Sequence, residues 1–198
     1  MSLFQKQKFT SLTTLVKGCQ RGEPKAQNAF YDHYKRKLRG ICLRYTRTES
    51  EADDIFQEAF IKIFNSIHQL RAPEAADPWV KSTVIRTAIN YYKSHTKKDL
   101  RLTSVDEMEP VLASEESLEQ LDRVEMGELL AVINELPDGY RTVINLYIID
   151  GFKHAEIADM LGVAESTSKS QLMRGKALLI KKLHEKGIGQ YGFVSKGN

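Results

Sequence analysis

Apolar residues recur along this chain at spacings of three and four, and the alternating pattern of a strand is nearly absent. A helix turns once in about 3.6 residues, so this spacing lines a single helical face; a half-buried strand would need every second side chain to be apolar. The fold class that follows is all-α. Leu12, Leu15, Val16 and Cys19 mark a first short helix ending at Gly22, and Ala26, Ala29, Phe30, Tyr34, Leu38, Ile41, Cys42 and Tyr45 mark a second. Thr48-Glu49-Ser50-Glu51 has capping-box spacing, in which the Thr48 hydroxyl accepts from the Glu51 amide and the Glu51 carboxylate accepts from the Thr48 amide. The helix it opens carries Ile55, Phe56, Phe60, Ile63, Phe64 and Ile67 on a wide apolar face.

Residues 71–78 contain Pro73 and Pro78 and predict a loop, because proline disfavours helix at the residue before it. A helix from about residue 79 to 96 would place Trp79, Thr83, Val84, Ala88 and Tyr91 on one side and end in Lys93, His95, Lys97 and Lys98. Residues 99–120 have linker composition, with Asp106, Glu107, Glu109, Pro110, Glu115 and Glu116 and few large apolar side chains. Helical pattern resumes with Leu121, Val124, Leu129, Val132 and Ile133 and stops at Leu136-Pro137. Further helices are expected over 138–149, closed by Asp150-Gly151, and over 154–161, closed by Gly162. A last one is expected to be capped by Ser166 or Thr167 and ended by Gly187. The expected organisation is therefore two small helical domains, 1–98 and 121–188, joined by an acidic flexible linker over 99–120, with a mobile tail over 189–198.

The formal net charge of the 198 residues is only +3, but the charge is unevenly placed. Residues 1–98 hold 18 basic and 9 acidic side chains, residues 99–136 hold 2 and 11, and residues 137–198 hold 9 and 6. Two basic blocks flanking an acidic one suit polyanion-binding surfaces, or ordinary soluble surfaces, on either side of a solvated segment. A hydrophobic content of 41% supplies packed cores and excludes a disordered tail, a collagen-like fibre and a disulfide scaffold. No run approaches the roughly 18 consecutive apolar residues of a membrane span, and the N-terminus has no apolar signal core. A cytoplasmic location without membrane insertion is expected, with Cys19 and Cys42, the only thiols, as buried residues rather than metal ligands.

The sharpest local pattern is Glu156-Ile157-Ala158-Asp159-Met160-Leu161-Gly162-Val163 followed by Ser166-Thr167-Ser168-Lys169-Ser170-Gln171-Leu172. A helix-turn-helix needs a small residue where its helices cross, glycine at the turn and apolar residues facing the shared core; Ala158, Gly162 and the set Ile157, Leu161, Val163 supply these. The second helix would present Ser166, Thr167, Lys169, Ser170, Gln171, Arg174 and Lys176, groups suited to base edges and phosphates. A helical hairpin that merely packs is the bland alternative. Ser168 stands where an apolar residue is expected, which predicts looser packing there.

Asp53, Asp54, Gln57, Glu58 and Ile61 form a second constellation. Carboxylates in a first turn interact favourably with the helix dipole, but Asp54, Gln57, Glu58 and Ile61 also share a stripe distinct from the Phe56-Phe60-Phe64 side and could dock a basic partner. The third comprises Arg71, Trp79, Arg86, Asn90, Tyr92, Lys93, Lys97 and Lys98, where rings interleave with cations as single-stranded nucleic acid requires. Trp79 and Tyr91 also fit a core role. There is no glycine-rich phosphate loop, no His-Glu-x-x-His pair and no nucleophile elbow, so no enzyme, cofactor or metal is expected.

Taken in order, these segments resemble an RNA polymerase sigma factor of the sigma-70 family, in its small two-domain extracytoplasmic-function (ECF) group. Ser50-Glu51-Ala52-Asp53-Asp54-Ile55-Phe56-Gln57-Glu58-Ala59-Phe60 is similar to the family's acidic helix that docks on polymerase, Trp79-Val80-Lys81 and Thr87-Ala88-Ile89-Asn90-Tyr91-Tyr92-Lys93 to its minus-ten helix, and the stretch from Leu136-Pro137 to Lys182 to its fourth conserved region. Arg86 and Asn90 stand where the family usually has Asn and Asp, Gln171 where Arg is common, Ser168 in place of an aliphatic residue and Phe64 in place of a frequent Trp. The resemblance implies a non-enzymatic initiation factor that binds core RNA polymerase and specific promoter DNA, both as duplex and as the single-stranded non-template strand. It also implies an anti-sigma partner. Asp53, Asp54, Gln57, Glu58 and Ile61 would meet polymerase; Arg71, Trp79, Arg86, Asn90, Tyr92, Lys93, Lys97 and Lys98 the minus-ten element; and Ser166, Thr167, Lys169, Ser170, Gln171, Arg174 and Lys176 the minus-thirty-five element. The alternative reading is a stand-alone helix-turn-helix regulator, which would need half-sites and a dimer helix.

Overall fold

The apolar stripes read from the sequence do form helices, and among the described residues of the computed structural model there is no strand; those residues are 9, 11–95 and 125–188. The chain divides into two compact units, residues 1–92 and 93–198. The expected linker over 99–120, the tail over 189–198, and Leu121, Val124, Lys97 and Lys98 lie outside the described residues.

In the first unit α1 spans Leu12–Gln20, α2 Pro24–Tyr45 and α3 Glu49–Ser66, and α4, Ala76–His95, begins in it and continues past its last residue. Ser11 caps α1 by accepting from Thr14, and the Thr48/Glu51 capping box opens α3 as its spacing predicts. Phe30, Tyr34, Leu38 and Ile41 of α2 bury against Ile55, Ala59 and Ile63 of α3, with Val80, Val84, Ile85 and Ala88 of α4 also in the core. Full burial of each large aliphatic or phenylalanine side chain stabilises the unit by about 1.5–3 kcal/mol. Helices α1 and α2 approach at Gly18, where an added Cβ would stand 2.6 Å from the Cβ of Ala26.

Helix α4 departs from expectation in two ways. It starts at Ala76 rather than Trp79, continuing from a 3-10 turn over Pro73–Ala75, so Pro78 lies inside its first turn. The first four amides of a helix have no intrahelical acceptor, and a proline there sacrifices no hydrogen bond. Its buried face is also turned: Ala76, Val80, Val84, Thr87 and Ala88, flanked by Ile85 and Ile89, are buried, while Trp79, Thr83 and Tyr91 are only half-buried.

In the second unit α5 spans Met126–Asn134, α6 Asp138–Ile144, α7 His154–Leu161 and α8 Glu165–Glu185. The single helix expected over 138–149 is instead α6 followed by a π-helical turn, Asn145–Ile149, whose wider winding is closed by the Asp150 amide donating to the Asn145 carbonyl at 2.9 Å. Leu129, Val132, Ile133, Leu136, Val143, Ile144, Ile157, Leu161, Leu172, Leu179 and Leu183 are buried. Gly175 lets α8 lie on α6, since a Cβ there would sit 3.0 Å from Ile144 Cδ1 and 3.1 Å from Tyr140 Cβ. Arg141, also in this core, is 1% exposed and pairs with Asp138 at 3.0 Å.

Gly162 adopts φ 72° and its amide donates to the Ala158 carbonyl at 2.8 Å, which ends α7 and turns the chain within two residues into α8. That short turn leaves no room for the cap expected at Ser166 or Thr167. Ala164 takes the cap position in extended conformation, Glu165 begins the helix, and Ser166 and Thr167 fall within the first turn.

Candidate docking and nucleic-acid surfaces

On α3 the five predicted docking residues separate into two groups. Asp53 turns toward α2, where Arg39 Nε donates to its Oδ1 at 2.8 Å and Nη2 to its Oδ2 at 3.4 Å, while the same Nη2 reaches Glu49 at 3.0 Å. This two-pronged pairing holds the guanidinium pKa above its ordinary value, Asp53 contributing most. Asp54, Gln57 and Ile61 face outward, Ile61 with 61% of its surface exposed, and Glu58 pairs with Lys62 one turn later at 2.6 Å. Residues 54, 57, 58 and 61 are one stripe by helical spacing. Tyr91 of α4 lies close enough that burial first, and then the charges of Asp54, Glu51 and Glu58, raise its phenol pKa. Beside the stripe, Tyr31 of α2 remains 41% exposed while its ring packs 5.9 Å from Phe56 and 4.9 Å from Phe60, an aromatic seam that sequence spacing did not single out.

The segment before α4 is held from α1: Gln20 Nε2 donates to the carbonyls of Ile67 at 3.1 Å and Leu70 at 2.8 Å. These two bonds, added to the Leu70 amide's own bond to the Ile67 carbonyl, fix where the chain enters the stretch bearing exposed Arg71. Trp79, Arg86, Asn90 and Lys93 follow at spacings of seven, four and three and share one side of α4, with Arg86 and Asn90 exposed and Trp79 and Lys93 half-buried. Tyr92 does not join them; it continues the Ile85–Ile89 side and is half-buried.

On α8, Ser166, Lys169 and Met173 are exposed and Thr167, Ser170, Gln171, Arg174 and Lys176 half-buried. Ser166, Lys169, Ser170, Met173 and Lys176 form the outer face, and Thr167, Gln171 and Arg174 flank it. Lys169 Nζ stands 2.7 Å from Glu165 in an exposed pair that lowers the Glu165 carboxyl pKa. Ser170 Oγ donates back to the Thr167 carbonyl at 3.0 Å. Met173, 44% exposed amid polar neighbours, was not among the predicted residues; an apolar side chain on an otherwise polar face was the available clue.

The loose packing predicted at Ser168 is not found. The residue is completely buried, and its hydroxyl shares a hydrogen bond of 2.9 Å with His154 Nδ1 of α7. The His154 ring in turn stacks on Tyr147 at 4.5 Å and 21°. Among the described residues no group of three His, Cys, Asp or Glu side chains is placed to hold a metal, and no helix is long and apolar enough to cross a membrane.

Residues 30–98 match the family described as Sigma-70 region 2, and residues 126–179 match Sigma-70, region 4. The chain is 26% identical over 185 residues to the ECF RNA polymerase sigma-E factor of Haemophilus influenzae, covering 85% of this chain and 93% of that protein. It is 28% identical over 178 residues to the RNA polymerase sigma-H factor of Pseudomonas aeruginosa, covering 85% and 92%. A solved structure of CnrH in complex with the cytosolic domain of CnrY aligns with 87% of this chain and 97% of that one, at 18% identity and a TM-score of 0.48.

Proposed function

Because the chain belongs to the sigma-70 family, in its ECF group, it is a DNA-binding transcription initiation factor that directs RNA polymerase to promoters, and we propose a division of that work among three surfaces. The Asp54, Gln57, Glu58 and Ile61 stripe docks the first unit on core polymerase. Asp53 serves the same surface indirectly, by fixing α3 against Arg39 of α2. The stretch after Leu70 and the Trp79, Arg86, Asn90 and Lys93 side of α4 take the non-template strand of the minus-ten element, with Tyr92, Lys97 and Lys98 extending the basic end of that surface. Helix α8 enters the major groove of the minus-thirty-five element. The domains that carry these roles are residues 1–98 and 121–188.

Energetics favour this arrangement. Extruding a base from a duplex costs a few kcal/mol, and stacking on a ring such as Trp79 returns about 1–3 kcal/mol per base. The margin is small, so opening depends on DNA already tethered through α8 and polymerase, which raises its effective concentration at α4. The role requires no catalysis by the chain itself and is carried out in the cytoplasm. An anti-sigma protein that covers the α3 stripe or α8 would silence the factor.

The observation that carries the reading is the outer face of α8, where Ser166, Lys169, Ser170 and Met173 project from a helix-turn-helix whose turn is fixed by Gly162. Reconstitution of the chain with core polymerase on a library of genomic fragments tests it. Specific transcripts dependent on the chain are expected; duplex binding without polymerase-dependent initiation would support the stand-alone regulator instead.

A further inference from the structure

Ser168 sits where the helix-turn-helix pattern calls for an apolar side chain, yet it is 0% exposed and bonded across the motif to His154. An aliphatic side chain fixes the distance between two helices but tolerates sliding and rotation. A hydrogen bond demands both a distance and an angle, and a buried hydroxyl without its partner is costly. His154 is held by its stack on Tyr147, which belongs to the π-helical turn after α6. Three segments of the second unit, the turn, α7 and α8, therefore meet through His154, by a ring stack on one side and a hydrogen bond on the other. Ser168 immediately precedes Lys169 and Ser170, so a small rotation of α8 about its axis re-aims both side chains.

We propose that the His154–Ser168 hydrogen bond, braced by Tyr147, sets the rotation of α8, and that His154 and Ser168 are positioning residues for the reading of duplex DNA by Lys169, Ser170 and Met173. The proposal rests on the reading of α8 as the helix that enters the major groove. Ser168 is wholly enclosed and acts only through the residues it orients.

Thr and Val have the same shape and differ by a hydroxyl, so Ser168→Thr and Ser168→Val isolate the hydrogen bond. Each is examined in the full chain reconstituted with core polymerase. The probe is the upstream duplex that the wild-type complex enriches from a random pool, and the readout is the ratio of its affinity to that of a shuffled duplex. Loss of folded protein lowers both affinities together and leaves this ratio unmoved. Ser168→Thr is expected to retain the ratio and Ser168→Val to lower it about tenfold, the equivalent of one lost buried hydrogen bond. With His154→Ala in the same chain, the Thr and Val variants are expected to become equal. Equal ratios with His154 present, or a difference that persists without it, would overturn the proposal. If circular dichroism shows that the added methyl groups unfold the unit, Ser168→Ala against wild type in the two His154 backgrounds carries the same comparison. A wild-type complex that enriches no upstream duplex overturns the assignment of α8, and this inference with it.

Discussion

Replacing Glu165 by Gln should strengthen promoter binding while weakening the fold. Glu165 begins α8, where a negative charge interacts favourably with the helix dipole, and its carboxylate holds Lys169 Nζ at 2.7 Å. Both side chains are well exposed, 60% for Lys169 and 48% for Glu165, so water and salt screen the pair and breaking it requires little. For Lys169 to reach a phosphate it must leave Glu165, and a carboxylate left facing the DNA repels the same phosphates. Releasing an i,i+4 pair of this kind corresponds to about a twofold gain in affinity. Lys169→Ala should act in the opposite direction and lower the slope of log affinity against log salt by about 0.9, or about 3.5-fold in affinity over a fourfold rise in salt. Competition binding of upstream duplex by the reconstituted complex at several salt concentrations, beside thermal melts of the chain, measures both effects. Glu165→Gln should bind more tightly, keep the wild-type salt slope and melt at a lower temperature. The Glu165 carboxyl pKa is depressed in the folded chain, so its stabilising contribution is present at neutral pH and lost as pH falls through that folded pKa. Unchanged or weaker binding by Glu165→Gln would refute the recruitment of Lys169 to a phosphate.

Reversing charge with Asp54→Lys and Glu58→Lys should abolish co-purification with core polymerase while the helical circular dichroism of the chain is retained; undiminished capture would remove the stripe from the docking surface. Gln20→Leu removes the side-chain donor to the Leu70 carbonyl and one of the two donors to the Ile67 carbonyl, and should cost about 1–3 kcal/mol in chemical denaturation and slow promoter opening measured by permanganate footprinting. Burial pushes the Cys19 thiol up to about 11 and that of Cys42 up to about 12, so both should resist alkylation at pH 8 in the folded chain and react once denaturant is added.

Where a structural feature depends on neighbours in the chain, the sequence shows it directly. Phe30, Tyr34, Leu38 and Ile41 bury as their spacing predicts, and the box at Thr48 and Glu51 closes within four residues. Features that depend on how helices face one another were hidden. Helical spacing sets Asp53 apart from the stripe of Asp54, Gln57, Glu58 and Ile61, but only the approach of Arg39 from α2 shows that Asp53 is tied into the fold. Apolar spacing cannot show that Arg141, long and charged, is buried in the core beside Asp138. Pro78 breaks helices in general, but in a first turn it breaks nothing. Ser168 was recognisable as a departure from an apolar register; its compensation, His154, is fourteen residues away and joined to it only through the fold.

The division of labour among the three surfaces is tested most directly by placing a photo-crosslinking amino acid at Ile61, Asn90 or Met173 in the complex with core polymerase bound to a promoter. The account predicts capture of a polymerase subunit from position 61, of the minus-ten non-template strand from position 90 and of the minus-thirty-five duplex from position 173. Capture of DNA from position 61, or of only polymerase from positions 90 and 173, would contradict it.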